Sequence, residues 1–219
     1  MITKTEENYL KAVYKLAGKD KKSVGTNAIS KEMKTTAASV TDMIKKLSEK
    51  KLVNYEKYRG VGLTTDGNRH ATQLIRKHRL WEVFLVDKLN FGWDQVHDIA
   101  EELEHIDSAQ LIKRLDSFLG NPRFDPHGDP IPNSEGKFML RQQSPLSEMP
   151  PHQSCILLGV REHTTPFLEY LNSLQIKLGT ELKILEKIQF DHSLKIQINQ
   201  NEITVVSAKV GQDLFVKLK

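Results

Sequence analysis

Prolines divide this chain into two unlike parts. Seven of the eight prolines lie within residues 121–151. Because proline lacks a backbone N–H and fixes φ, such a stretch excludes a continuous helix or a central strand. Before it, apolar residues recur with the helical period, and after it come short runs rich in β-branched residues. The predicted fold class is therefore mainly α with a small β domain, joined by a loop.

The amino-terminal part has the pattern of a winged helix-turn-helix. Three helical segments come first, the second capped by Thr26 or Asn27 and the third by Thr35 or Thr36. The stretch LVNYEKYRGVGLTTDG, residues 52–67, then predicts two short strands that form a wing. Helix, turn and helix followed by a wing is an arrangement that reads DNA.

Charge is distributed unevenly along the chain. Residues 1–77 hold 17 basic side chains against 8 acidic ones, a net charge of +9, whereas the other 142 residues carry −5. A basic module predicts a polyanionic partner, either nucleic acid or an anionic membrane surface. The order of the elements favours double-stranded DNA.

Candidate DNA contacts cluster on the third predicted helix and in the wing. Hydroxyl groups and lysines can bind phosphates, and the methyl group of Ala38 can meet that of a thymine. The alternative for individual members is a helix cap or a solvated lysine face. The candidates are Thr35, Thr36, Ala38, Ser39, Thr41, Asp42, Lys45, Lys46, Lys57 and Arg59.

Two general features bear on location. No uncharged apolar run approaches the roughly 20 residues of a membrane helix, and the start MITKTEENYL lacks the apolar segment of a signal peptide. The single cysteine, Cys155, excludes an internal disulfide and a thiolate zinc cage. We therefore expect a cytoplasmic protein with no membrane partner.

An acidic segment follows a long helix that Thr65 is predicted to cap. Further helices are predicted at 93–106 and 108–119, and no Lys or Arg lies between Asn90 and Ile112. Like charges one turn apart repel by roughly 0.2–0.5 kcal/mol per pair, so a cation is expected to offset them. A solvated acidic face is the alternative.

Histidines are interspersed with these acids at helical spacing. His97, Glu101, Glu104 and His105 form one stripe, and the preceding helix carries His78 and Glu82 four residues apart. Imidazoles and carboxylates converging from two helices suit a divalent ion. Because eight residues of helix rise about 12 Å, the stripe is too long for one ion. The spacing predicts two ions, one held by His78, Glu82 and His97 and one by Glu101, Glu104 and His105.

Three segments are similar to a known family. KHRLWEVFLVDKL, VHDIAEELEH and DPHGDPIP resemble the diphtheria toxin repressor family of iron- and manganese-dependent transcription regulators. The resemblance implies a winged-helix domain at 1–71, a metal-binding and dimerisation domain at 72–140, and a linker with an SH3-like barrel at 141–219. It also implies a homodimeric repressor of metal-ion homeostasis that binds a palindromic operator when metallated.

The resemblance also assigns ligands. His78, Glu82 and His97 match the family's ancillary metal site, and Glu101, Glu104 and His105 match its primary site together with Asn8. Iron-responsive members carry Cys at the position of Glu101 and Met at that of Asn8, whereas manganese-responsive members carry carboxylates at both. Oxygen and imidazole donors without sulfur suit Mn(II) or Fe(II), and we expect Mn(II).

Further positions differ from the family pattern. Its anion anchor falls on Arg79, but the two hydroxyl or amide partners are Asp125 and Asp129 here. The position of an additional ligand from the carboxy-terminal domain falls on Glu162 or His163.

Two other functions compete with this interpretation. A metallohydrolase would use Glu82 or Glu102 as general base, but no HExxH motif is present. A metal-independent winged-helix regulator would leave the acidic cluster solvated. We expect that the chain is not an enzyme.

Overall fold

The structure is a computed structural model that describes residues 2–18, 20–56 and 59–219. Its contacts define two units. The first unit comprises Met1–His78, Glu101–Ala109 and Pro132–Phe138. The second unit comprises Arg79–Ala100, Gln110–Ile131 and Met139–Lys219.

The first unit begins with the predicted winged helix. Its elements are α1 (Lys4–Ala17), α2 (Thr26–Glu32), α3 (Ala37–Glu49) and the antiparallel strands β1 (Val53–Glu56) and β2 (Gly60–Leu63). Thr3 and Glu6 close a capping box at the start of α1, and Thr36 caps α3. The predicted cap of α2 is wrong, because Gly25 occupies that position.

The long helix α4 (Thr65–Leu89) starts against the backbone that leads into the wing. Its cap is Thr64 rather than the predicted Thr65, since the Thr64 hydroxyl accepts a hydrogen bond from the Gly67 amide at 3.1 Å. A Cβ added at Gly67 would lie 1.9 Å from the Leu52 carbonyl oxygen. Only glycine permits this approach, which fixes where α4 leaves the winged helix.

The acidic segment forms a shorter helix than predicted. It contains α5 (His97–Leu103), and α6 (Ala109–Phe118) follows. Residues 93–96 precede α5, and Glu104 and His105 lie in the turn after it. Carboxylates in the last turn oppose the negative end of the helix dipole, and that turn itself contains no basic residue. This explains why α5 ends at Leu103 and why the last two candidates lie off the helix. The predicted start at residue 93 is also wrong, because residues 93–96 form a turn.

The second unit contains the predicted β domain. Its elements are β3 (Ser144–Pro145), β4 (Ser154–Val160), α7 (Thr165–Ser173), β5 (Glu181–Lys187), β6 (Leu194–Ile198), β7 (Glu202–Val206), α8 (Ala208–Asp213) and β8 (Leu214–Leu218). The six strands are antiparallel in the order β3-β8-β4-β5-β6-β7, and bulges in β4 and β5 bend the sheet. The fold class is confirmed, and neither β3 nor α8 was predicted from the sequence.

Cys155 lies in the apolar core of this β domain. Its side chain is fully buried, and the thiol donates to the Leu182 carbonyl oxygen at 3.1 Å. In the described ranges, every helix is too short or too polar to cross a membrane.

Candidate metal centres and DNA-facing helix

Glu104 lies at the centre of a polar cluster inside the first unit. Its side chain is 1% exposed, and Oε2 lies 2.7 Å from Nδ1 of His78. Glu101 comes from the last turn of α5, and one donor atom of each of these three residues lies within 4.8 Å of the others. The structure thus brings His78 together with two ligands predicted for the primary site.

Lys11 of α1 points its ammonium group into this cluster. Nζ lies 2.6 and 2.9 Å from the two Glu104 oxygens, 3.2 Å from Glu101 Oε1 and 3.5 Å from His78 Nδ1. This is the cation that the acidic segment requires, supplied by the chain itself. Sequence reasoning missed Lys11, although its spacing from Asn8 places both on one face of α1.

His105 and Asn8 lie at the edge of the same cluster. His105 Nδ1 lies 2.6 Å from Glu7 Oε2, and its Nε2 lies 3.9 Å from Glu104 Oε1. Asn8 lines a cavity of about 240 Å³ together with Lys11 and Glu101. All four predicted primary ligands therefore belong to one region of the first unit.

The donor set of this cluster fits a divalent ion. Carboxylate oxygens and an imidazole nitrogen converge within 4.8 Å, and these are donors that Mn(II) and Fe(II) accept. The ammonium of Lys11 lies among the same donors. Metal binding here consequently requires the Lys11 side chain to move.

A second acidic cluster lies in the second unit around Glu82. Its side chain is 2% exposed, and Oε1 lies 3.6 Å from Nδ1 of His97 and 3.7 Å from Nδ1 of His127. Donor atoms of Glu82, Asp125 and His127 converge within 4.8 Å, and all three residues are buried. Two predicted ligands, Glu82 and His97, thus lie together. The loop that follows α6 adds Asp125 and His127, which the sequence had not indicated as ligands.

The electrostatics of this cluster favour a cation. Nε2 of His127 lies 2.8 Å from the Trp93 carbonyl oxygen, and its Nδ1 lacks a hydrogen-bond partner among the residues that the structure describes. Burial lowers the pKa of His127, but the carboxylates of Glu82 and Asp125 raise it to about 9. Burial and the charge of Glu82 raise the pKa of Asp125 to about 7. A divalent ion would replace the proton on His127, so this donor set fits a metal.

The predicted anion anchor at Arg79 and the additional ligand position at Glu162 or His163 lie beside this cluster. The Arg79 guanidinium pairs with Asp129 and, at 3.3 Å, with Asp125 Oδ2. The His163 ring stacks on His127 at 4.6 Å between centroids, whereas the Glu162 carboxylate accepts from the Thr164 amide. Two aspartates of the chain thus supply the negative charge at Arg79. Of the two candidates for the additional ligand, Glu162 and His163, it is His163 that contacts His127.

The predicted DNA contacts of α3 lie mainly on its exposed side. The structure exposes Thr36, Ala38, Ser39, Asp42, Lys45 and Lys46 and half-buries Thr35 and Thr41. The Thr36 hydroxyl accepts from the Ser39 amide, and that of Thr41 donates to the Ala37 carbonyl. These two hydroxyl groups therefore stabilise the helix itself.

Of the two predicted DNA contacts in the wing, the structure describes Arg59. Arg59 is exposed, and its guanidinium lies 3.0 Å from Glu56 Oε2. Lys57, the other predicted wing contact, lies outside the described residues.

Comparison with known proteins identifies the family. Residues 1–61 match the iron-dependent repressor N-terminal DNA-binding domain, residues 64–133 its metal-binding and dimerisation domain, and residues 144–218 the FeoA domain. A manganese-dependent transcriptional repressor in complex with manganese superposes with a TM-score of 0.87 at 30% identity, covering 98% of this chain and 100% of that one. The chain belongs to the iron-dependent repressor family.

Other relatives agree with this assignment. The diphtheria toxin repressor of Corynebacterium jeikeium is 29% identical over 195 residues, 88% of this chain and 78% of that protein. The manganese regulator SloR has a TM-score of 0.75 at 34% identity, covering 98% of each chain. The family consists of metal-dependent transcriptional repressors that are not enzymes, so the metallohydrolase alternative is wrong.

Proposed function

We propose that this chain is a homodimeric repressor that binds a palindromic operator when it carries Mn(II), with Fe(II) as the alternative metal. The observation that carries the proposal is the cluster of His78, Glu101 and Glu104 in the unit that contains the winged helix. All three residues lie in the match to the metal-binding domain, residues 64–133, whereas Asn8 lies in the match to the DNA-binding domain, residues 1–61. A cation held by Asn8 together with Glu101 and Glu104 would tie the two domains together. A cytoplasmic location stays a prediction.

The ligand sets are proposed from the residues already described. Asn8, Glu101, Glu104 and His105 would hold the first ion, with His78 beside Glu104. Glu82 and His97 would hold a second ion with His127, and His78 remains a candidate there because it lies four residues before Glu82 on α4. A bound divalent ion supplies positive charge to carboxylates that otherwise repel one another. Two ions per subunit are therefore expected.

The preference for manganese depends on Glu101. Its carboxylate is a hard oxygen donor, whereas a thiolate in that position would favour softer or later metals. The solved manganese-dependent repressors that this chain resembles support the same choice.

The DNA complex follows from the exposed side of α3. We propose that α3 enters the major groove, with Lys45, Lys46, Lys57 and Arg59 on phosphates and the small residues near the helix start against the bases. Twofold symmetry would place the two recognition helices one DNA turn apart, about 34–36 Å, or a multiple of it.

Electrophoretic shifts with Mn(II), Fe(II) and excess chelator test this proposal. We expect operator binding with either metal and little with chelator. His105→Ala should abolish metal activation without unfolding the dimer, whereas His192→Ala, which changes an exposed histidine of the β domain, should not. Equal operator affinity with and without metal in the parent protein would refute the proposal.

The contact of Lys11 with Glu104 favours a second candidate function. Because the ammonium already neutralises one carboxylate of the cluster, the chain could bind DNA as a metal-independent regulator. The chelator arm of the same experiment distinguishes the two functions, since this candidate requires full binding there.

A further inference from the structure

Lys11 differs from the other lysines of α1 because its side chain is buried. Its side chain is 7% exposed, whereas Lys4 and Lys15 on the same helix are exposed. An ammonium group has three N–H donors, and here oxygens of Glu104 and Glu101 lie within 3.2 Å of it. The helix therefore buries one specific charge against the two carboxylates expected to bind metal.

We propose that Lys11 is a built-in competitor of the metal ion. In the metal-free protein its ammonium takes the cation position between Glu101 and Glu104 and holds α1 to the end of α5. In the metallated protein it has to leave, so Lys11 sets the metal concentration at which the first site loads. This inference rests on the proposed function only for the identity of the metal.

Competition follows from charge and geometry. Nζ lies 2.6 Å from Glu104 Oε2, so a divalent ion bonded to the same oxygen would be in contact with a second positive charge. The flexible four-carbon stem of lysine allows the ammonium to withdraw towards solvent. With Lys11 in place, Glu101, Glu104 and the ammonium sum to a charge of −1. Without it the same carboxylates sum to −2 and attract a divalent ion more strongly.

The test compares Mn(II) binding by variants of the full chain. Lys11→Met removes the charge and keeps the length of the stem, whereas Lys4→Met removes an exposed charge at the start of α1. Both are made in a His97→Ala background, which lacks a ligand proposed for the second ion. Free Mn(II) is counted by electron paramagnetic resonance.

We expect Lys11→Met to bind Mn(II) roughly 10- to 100-fold more tightly, the equivalent of one charge-assisted hydrogen-bond pair that the metal no longer has to break. Lys4→Met should stay within about twofold of the parent. Without metal, Lys11→Met should melt at a lower temperature than the parent, because two buried or half-buried carboxylates lose their cation. Opposite shifts in metal affinity and metal-free stability exclude general misfolding as the cause.

A second variant keeps the test decisive if metal-free Lys11→Met does not fold. Lys11→Gln is uncharged but retains an N–H donor for Glu104, and it should also bind Mn(II) at least tenfold more tightly. Parental affinity in folded Lys11→Gln or Lys11→Met would overturn the inference, while metal-activated operator binding by the parent would leave the proposed function intact. Conversely, tighter binding by the variants together with metal-independent operator binding by the parent would support the inference and refute the proposed function.

Discussion

Replacing Glu104 with Gln should strongly destabilise the metal-free protein. The side chain is 1% exposed, and both of its oxygens accept from Lys11. The change leaves the buried ammonium with Glu101 as its remaining carboxylate, at 3.2 Å. Removing one partner of a buried ion pair costs about 3–5 kcal/mol, and we expect the lower end because Glu101 and the new amide oxygen still accept from Lys11.

Glu101→Gln is the matched control for this prediction. It removes the same charge from the same cluster, but the Glu101 side chain is 46% exposed and makes a single 3.2 Å contact with Lys11. Half-exposed pairs contribute about 0–1 kcal/mol because water screens them. The two substitutions should therefore differ by about 2–3 kcal/mol although their chemistry is identical.

Urea unfolding in the presence of chelator, followed by circular dichroism, measures the difference. With an m-value of about 2 kcal/mol/M, a loss of about 3 kcal/mol lowers the midpoint by about 1.5 M, and the control lowers it by at most about 0.5 M. Equal midpoints for the two variants would show that the contact between Lys11 and Glu104 does not stabilise the fold.

Three further predictions concern the fold, the DNA and the metal. Gly67→Ala should lower the free energy of unfolding by about 1–3 kcal/mol, because its new Cβ meets the Leu52 carbonyl oxygen. Gly62→Ala is the control, since a Cβ there has no atom within 4 Å. Equal melting temperatures for the two variants would contradict this prediction. Lys46→Ala should reduce the salt slope of operator binding by up to about one without changing sequence preference, and lost discrimination at one base pair would instead make Lys46 a base reader. Glu101→Cys should shift activation from Mn(II) towards Fe(II), and an unchanged ratio of activating concentrations would remove Glu101 as the determinant.

The sequence predicted those elements whose determinants are local. The start of α3 at Ala37, directly after its cap Thr36, follows from a cap and an apolar period, both readable within a few residues. The predicted carboxy-terminal end of the helix at 93–106 was wrong because the unfavourable charges in the last turn of α5 outweighed the spacing pattern. Local patterns therefore fixed the kind of element better than its end.

Parts of the candidate sites depend on contacts that are distant in sequence. Lys11 meets Glu104 across 93 residues, and a lysine in an amphipathic helix ordinarily indicates a solvated position. His127 is held by the hydrogen bond from the Val160 amide to its carbonyl oxygen, and Asp125 by one from its amide to the Asp129 carbonyl. No helical period or cap encodes such contacts. Asp125 and His127 were therefore recognisable only as part of the segment DPHGDPIP.

The buried position of Cys155 has a consequence for redox chemistry. Burial, reinforced by the negative charge of Glu181, raises the pKa of this thiol to about 11. At neutral pH the thiol therefore stays protonated, and the surrounding β domain shields it from oxidants. The sequence contains no other cysteine. The one thiol in this sequence is therefore protected from peroxide, and it serves the packing of the β-domain core rather than redox sensing.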